Sequence, residues 1–153
     1  MAYQKLQTGR ALAVINSNSI NIPNVGGPTI SSSATATTVG KLVDSTQDFT
    51  TNLIGYIVYN TTDSTVATVT SVDDANTLTL SADIMASGEN YTLYADDNNG
   101  CVLYAGSGGN IRVLTVGNDD ITFVGVVPGA FIPVQVKRVF ASGTGPTDII
   151  AMW

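Results

Sequence analysis

The stretch VLYAGSGGNIRVLTV, residues 102–116, places a glycine cluster between two runs of apolar residues. Such a cluster either cradles a phosphate or turns the chain. A phosphate-binding loop presents its backbone N–H groups together with the amino end of a following helix. After Gly109, however, the sequence has the pattern of a strand, and the Lys and Ser/Thr of a P-loop are missing. The stretch therefore predicts a hairpin turn, because glycine and Asn110 tolerate positive φ.

The carboxy-terminal part of the chain continues as short apolar runs separated by turn residues. The runs are ITFVGV (121–126), FIPVQVKRVFA (131–141) and IIAMW (149–153). This spacing predicts an antiparallel meander. In the second run, Val134 and Val136 share a face that Arg138 would then enter. A β-bulge at Lys137-Arg138 is expected to return Val139 to the interior.

The middle of the chain shows a denser alternation of the same kind. Strands are expected near Tyr56–Tyr59 and in TVATVTSV (65–72), TLTLSADI (77–84) and YTLYA (91–95). Leu78 and Leu80 share one face of the third of these. About four or five short strands at this spacing predict a small curled sheet or barrel, of the size of an SH3-like module. Ahead of them, LVDSTQDF (42–49) predicts one helical turn, which Ser45 or Asp44 would cap.

The amino-terminal segment RALAVINSNSINIPN (10–24) predicts one or two short strands, with Ala11, Ala13 and Ile15 on one face. Pro23 and then Val25-Gly26-Gly27-Pro28 end this pattern. The next stretch, TISSSATATT (29–38), consists mostly of small polar residues and is interpreted as a linker or an edge strand.

Composition narrows the possible functions. Hydrophobic residues make up 44% of the 153 residues and charged residues 12%, with a net charge of −6. An acidic chain with few Lys and Arg repels the phosphate backbone, which disfavours DNA or RNA binding. No apolar run approaches the length of a transmembrane helix, and ALAVI is too short for a signal-peptide core. The sequence therefore predicts a soluble protein made in the cytoplasm.

The inventory of reactive side chains is small. Histidine is absent, which removes the commonest general base, the usual Ser and Cys triads and the commonest transition-metal ligand. The single cysteine, Cys101, excludes an internal disulfide and is interpreted as a small buried residue of a strand. We expect no catalytic residue, no cofactor-binding residue and no metal ligand.

Two side-chain groups nevertheless offer alternatives. The acidic pairs Asp73-Asp74, Asp96-Asp97 and Asp119-Asp120 each stand at a predicted turn and are interpreted as solvated turn residues. Calcium binding and carboxylate-based hydrolysis are the competing readings. The aromatic residues Tyr56, Tyr59, Tyr91, Tyr94, Tyr104 and Trp153 are interpreted as packing residues, with a sugar-binding platform as the alternative. Trp153 would pack the last strand down or meet a neighbouring subunit.

Residues 100–153 and INSNSINIPN (15–24) also carry a family resemblance. The features are a glycine turn after a VLYAG-type strand, then IRVLTVGNDDITFVGV, PGAFIPVQVKRV and a final IIA strand. In this pattern the chain resembles the spike-base-like virion proteins of tailed bacteriophages and gene transfer agents. The segment between these parts looks like a module recurrent in marine phage structural proteins. The resemblance implies a role at the capsid surface without catalytic residues or a cofactor.

These observations predict an all-β protein. We expect an antiparallel, jelly-roll-like β-sandwich formed by residues 1–28 plus 99–153, with residues 29–98 inserted as a small SH3-like β-barrel. The expected function is non-enzymatic, as a decoration (cement) or vertex spike-base protein of the virion. The expected partners are the major capsid protein, a trimer or pentamer of the chain itself and a head fibre protein, but no nucleic acid and no membrane. The alternative is a carbohydrate-binding module of a host-recognition fibre or tail component.

Overall fold

The computed structural model describes residues 9–153, and within this range the chain is all-β without an α-helix. The first strands are β1 (Ala11–Ala13), β2 (Asn24–Ser33), β3 (Lys41–Val43), β4 (Ile57–Asn60), β5 (Thr65–Asp74), β6 (Thr77–Leu80) and β7 (Asn90–Ala95). They are followed by β8 (Cys101–Ala105), β9 (Gly109–Thr115), β10 (Asp120–Val126), β11 (Phe131–Val139) and β12 (Ile149–Met152). These strands form two antiparallel sheets of six strands each, so the predicted all-β class is confirmed.

The chain divides into two compact units. The terminal unit runs up to Ile22 and resumes from Asn98 to Trp153, and the inserted unit is Pro23–Asp97. The sequence prediction placed the corresponding boundaries after residues 28 and 98, and residues 1–8 of its first domain lie outside the described residues. Each unit contains one of the two sheets.

The strand order of the terminal unit is β1-β12-β8-β11-β9-β10. The predicted meander is therefore wrong, because β11 lies between β8 and β9. The glycines at 106–109 do not form the predicted hairpin turn either, since the two strands that they connect are not neighbours. One long strand, β11, contacts both: its Ile132 pairs with Leu103 of β8 and its Val139 pairs with Val113 of β9.

The predicted bulge in β11 is confirmed. Val136 pairs with Thr115 and Arg138 pairs with Leu114, so Lys137 is the additional residue. Because the bulge shifts the alternation by one residue, both Val136 and Val139 face the core and are fully buried.

The strand order of the inserted unit is β2-β7-β4-β5-β6-β3. Gly26, Gly27 and Pro28 do not end a strand as predicted. They lie within β2, where the pairing with β7 shifts register between Asn24 and Thr29. The rest of β2 is an edge strand, which agrees with one of the two readings of residues 29–38.

A short helical turn precedes β4, but at a different place from the prediction. A 3-10 turn spans Thr51–Leu53, whereas residues 42–49 contain the end of β3 and a tight turn. Asp44 stabilises this turn by accepting a hydrogen bond from the backbone N–H of Thr46 at 2.9 Å. An Asx turn thus competes successfully with the helical turn that Asp44 could have capped.

Each unit buries its own apolar core. The terminal core consists of Val14, Ile22, Cys101, Leu103, Ala105, Ile111, Val113, Ile132, Val136, Val139, Ile149 and Ala151. The inserted core consists of Ala34, Leu42, Phe49, Leu53, Val58, Ala67, Val69, Leu78, Leu80, Met85, Tyr91 and Leu93. In β1, Leu12 packs against the terminal core and Ala11 and Ala13 are exposed, so the apolar face predicted for this strand is the solvent face.

Candidate functional site

The acidic side chains that could have formed a catalytic or metal site are held by neighbouring polar groups. The Asp73 carboxylate bonds Lys41 and the hydroxyls of Thr79 and Ser71. The hydrogen bond from Lys41 is the main reason that the pKa of Asp73 lies below its ordinary value. Asp74 accepts from the N–H of Asn76 at 2.8 Å, as expected of a turn residue.

The two other acidic pairs are also engaged. Asp97 accepts a hydrogen bond from Asn24 at 2.8 Å, and Asp119 accepts one from Thr115 at 3.1 Å. Asp120 forms a two-pronged ion pair with Arg112. Within residues 9–153, no group of three or more acidic or cysteine side chains is arranged to hold a metal ion.

A shallow depression in the inserted unit collects three further carboxylates. Its volume is about 280 Å³, and it is lined by Thr37, Val39, Asp63, Thr65, Asp83, Ile84, Met85, Ala86 and Glu89. The carboxylates have local roles: Asp83 accepts from the N–H of Gly40, and Glu89 accepts from the N–H of Ala86. Glu89 also accepts from the amide of the buried Asn60 at 2.8 Å. These contacts fix the surrounding loops.

The tyrosines between residues 9 and 153 are buried or half-buried. Tyr59 and Tyr91 are buried, and Tyr56, Tyr94 and Tyr104 are half-buried. Tyr59 and Tyr94 contact each other edge to face, with ring centroids 5.6 Å apart. This is cross-strand packing.

Two residues that the sequence analysis singled out as packing residues have that role. Cys101 is buried in β8, and its thiol donates to the carbonyl of Val136 at 3.2 Å. Burial raises the pKa of this thiol to about 12, which makes it a poor nucleophile. Trp153 packs against the terminal core, and its indole N–H donates to Asn98 at 3.1 Å.

The glycine cluster after β8 lies where two segments of the chain pass too close together for a larger side chain. A Cβ on Gly106 would lie 2.7 Å from the backbone oxygen of Asp148. Gly109 has φ +144° and begins β9, so a strand follows the glycines where a phosphate loop would need a helix. These glycines position the strands.

The surface feature that stands out is an apolar strand at the end of the terminal sheet. In the described part of the chain β10 pairs with one strand only, β9. Ile121 is 48% exposed and Val124 is 78% exposed, and Val127 and Phe131, which follow along the chain, are more than half exposed. We call β10 the free edge. Edge strands of this length and composition are sites at which further strands pair.

The direction of the backbone groups along the free edge follows from the hydrogen bonds of β9. The carbonyl of Arg112 accepts from Phe140 at 2.9 Å, and its N–H donates to Thr144 at 3.0 Å, so both groups point toward the β11 side. Thr122, the partner of Arg112 in β10, therefore belongs to a pair without mutual hydrogen bonds. Its N–H and C=O point away from β9, into solvent.

The same direction holds for alternate residues of the strand. Asp120 lies two residues before Thr122, so its backbone groups also point outward, and the N–H of Val124 points outward because the carbonyl of Phe123, in the same peptide, faces β9. The pairing with β9 shifts register after Phe123, and the C=O of Val124 points away from β9 because the N–H of Gly125, in the same trans peptide, donates to the side chain of Asn110 in β9 at 3.1 Å. The free edge thus presents the donors and acceptors of three residues to solvent.

The free edge is also electrically neutral. The sequence from Ile121 to Val136 contains no Asp, Glu, Lys or Arg, although the chain carries a net charge of −6. Asp120, at the beginning of β10, is paired with Arg112, which lowers the pKa of its carboxyl. Sequence reasoning identified these strands but not the edge, because an uncharged run also fits a buried strand. The lack of charged residues between Ile121 and Val136 was the sequence signal that could have indicated this edge.

Comparisons of the chain with protein-family models, with curated proteins and with solved structures found no match. No helix between residues 9 and 153 is long and apolar enough to cross a membrane.

Proposed function

We propose that this chain is a non-enzymatic structural protein of a virion, which decorates the capsid surface of a tailed bacteriophage or gene transfer agent as a cement or spike-base protein. The observation that carries the proposal is the free edge. Its exposed apolar side chains and outward backbone groups suit a protein whose function is contact. The resemblance of residues 100–153 to spike-base-like proteins is the reason for proposing a virion as the assembly in which these contacts are made.

In this proposal the terminal unit is a jelly-roll-like sandwich and the inserted unit is a small SH3-like barrel. The barrel is supported by contacts that join the two ends of the inserted sheet. Just after β2, Ala36 forms a bridge with Val43 of β3, and the N–H of Thr35 donates to the carbonyl of Val43 at 2.8 Å. The sandwich is supported by the bend of β11, which pairs with β8 at one end and with β9 at the other around a common core.

The proposed partners are the major capsid protein, further copies of this chain and a head fibre protein. The net charge of −6 is expected to keep the chain away from packaged DNA and therefore on the outside of the shell. The capsid-bound form is expected to contain several copies of the chain.

The test is to label purified particles from the source of the sequence with gold-tagged antibody raised against the purified chain. We expect gold on the outer surface of the heads, with preimmune serum as the control. Gold on tails alone, or the chain recovered entirely in the particle-free fraction, would contradict the proposal.

A further inference from the structure

We propose that the free edge pairs with the free edge of a second copy of this chain, antiparallel and about a twofold axis at Thr122. The contact would join two terminal sheets into one continuous sheet. This inference rests on the same free edge as the proposed function, but it concerns the purified chain and is tested without particles.

The backbone of the free edge is complementary to itself. Asp120, Thr122 and Val124 carry the outward N–H and C=O groups. In a twofold pairing about Thr122, Thr122 faces the same residue of the second copy, and Asp120 faces Val124. Every facing pair then joins two residues whose groups point outward, so all three exchange hydrogen bonds. An axis at Phe123 pairs Thr122 with Val124 and places Asp120 opposite Val126, which lies beyond the register shift that follows Phe123.

Apolar side chains of β10 would extend the terminal core of each copy across this contact. Ile121 and Phe123 lie on the face of β10 that is directed at the terminal core, where their partners in β9 are the buried Val113 and Ile111. Phe123 packs against that core, while Ile121 is 48% exposed. The axis at Thr122 brings Ile121 of each copy opposite Phe123 of the other, which covers the exposed end of both cores.

The local absence of charge lets a second copy approach at this strand. Two chains with a net charge of −6 repel each other, and contact is least opposed where the charge is absent, as between Ile121 and Val136. The one acidic residue of the strand, Asp120, is neutralised by Arg112. The antiparallel arrangement places the two Asp120 residues at opposite ends of the contact.

The small area of the contact determines how stable the dimer is expected to be. A single short strand pair buries less than the standard interface of about 1,600 Å². We therefore expect a dimer that forms reversibly as the concentration is raised from about 10 µM to about 1 mM. A twofold contact predicts a dimer, in place of the trimer or pentamer expected from the sequence.

The first experiment is sedimentation equilibrium of the purified full chain over this concentration range. We expect the mass to rise from 15.9 kDa toward twice this value. Val124→Asp places a carboxylate opposite Asp120 of the second copy at both ends of the contact. The repulsion is expected to raise the dissociation constant at least about tenfold. Val39→Asp is the matched control, because Val39 is 81% exposed but lies in the inserted unit, and it is expected to dimerise like the original chain.

The second experiment tests the register without relying on a charge. Thr122→Cys places two thiols on the axis, where facing Cα atoms about 5.5 Å apart permit a disulfide. We expect covalent dimers on mild oxidation, whereas Val124→Cys on the same strand stays monomeric after the same treatment. Cys101 is buried and does not compete.

Three outcomes would overturn the inference. They are a monomer at about 1 mM, a trimer or pentamer, and equal dimerisation of the Val124→Asp and Val39→Asp variants. Cross-linking of the Val124→Cys variant in preference to Thr122→Cys would overturn the register and with it the argument from backbone direction. Because no particles are present in these experiments, none of these results bears on the gold-labelling test.

Discussion

The two units differ in the polar side chains that they bury and in the number of apolar side chains that they expose. Among the described residues, the buried polar side chains Asp44 and Asn60 both lie in the inserted unit. Both units expose apolar side chains, Val39 and Ile54 in the inserted unit and a larger number in the terminal unit, with Ile121, Val124 and Phe131 among them. A buried polar group that is fully hydrogen-bonded restricts how a core can pack, and an exposed apolar group gains only from a partner. The inserted unit thus relies on buried, hydrogen-bonded polar groups to define its core, and the terminal unit offers more exposed apolar side chains to a partner.

The outer strands of the two sheets show the same contrast. In the inserted unit β2 is an edge strand. It contains Pro28, its pairing with β7 is irregular after Asn24, and it ends in three polar serines, Ser31–Ser33. Proline, bulges and polar side chains are the usual protection against pairing with another chain. In the terminal unit β10 has a register shift near Gly125 but is apolar before it. Edge composition therefore distinguishes the two units although their secondary structure is the same.

The largest effect expected from this comparison comes from removing the buried carboxylate of the inserted unit. Asp44 accepts hydrogen bonds from the hydroxyls of Tyr91 at 2.8 Å and Thr46 at 2.6 Å. Asp44→Ala leaves the buried Tyr91 hydroxyl without this partner and is expected to destabilise the inserted unit by about 3 kcal/mol. Urea unfolding followed by near-UV circular dichroism in the tyrosine region, to which four tyrosines of this unit contribute, measures the change.

Tyr91→Phe is the milder companion variant, because it keeps the carboxylate and removes one of its donors. We expect about 1 kcal/mol of destabilisation. Trp153, the single tryptophan, lies in the terminal unit, so its fluorescence reports the other half of the molecule. A shift of the Trp153 transition as large as that of the tyrosine signal would contradict the division of roles between the units.

A smaller effect is expected when the pH is lowered. Burial alone would raise the pKa of Asp44, but the hydrogen bonds from Thr46, Ser32 and Tyr91 outweigh it and hold the pKa below its ordinary value. A carboxyl with a depressed folded-state pKa stabilises the protein above its unfolded pKa of about 4, and this stability is lost as the pH falls through the folded value. We expect the inserted unit to weaken below about pH 4, and Asp44→Ala to remove part of this dependence in urea titrations at successive pH values.

Local patterns were sufficient to predict much of the fold. The alternation in β6 correctly placed Leu78 and Leu80 in the core. The bulge at Lys137 followed from a conflict within one strand, since a regular β11 would have turned Arg138 inward and Val139 outward. Each of these features is decided by residues a few positions apart, and such features are visible in a sequence.

The order of the strands was not predictable in this way. The insertion of β11 between β8 and β9 depends on pairs such as Val139 with Val113, which lie far apart along the chain. Turn residues at 106–110 fit a crossover as well as a hairpin. The free edge could not be identified for the same reason, because whether β10 ends the sheet depends on the position of every other strand.

The smallest effect concerns the free edge itself and involves no change in stability. In β10 the amides of Ile121 and Phe123 face β9, and those of Thr122 and Val124 face solvent. At low concentration we expect slow hydrogen exchange at Ile121 and Phe123 and fast exchange at Thr122 and Val124, measured residue by residue by NMR. Raising the concentration should slow exchange only at the outward amides, because a second copy would protect them. Slow exchange at Thr122 in the dilute protein would mean that the edge is already covered. In that case β10 could not be contrasted with β2 as an unprotected edge strand.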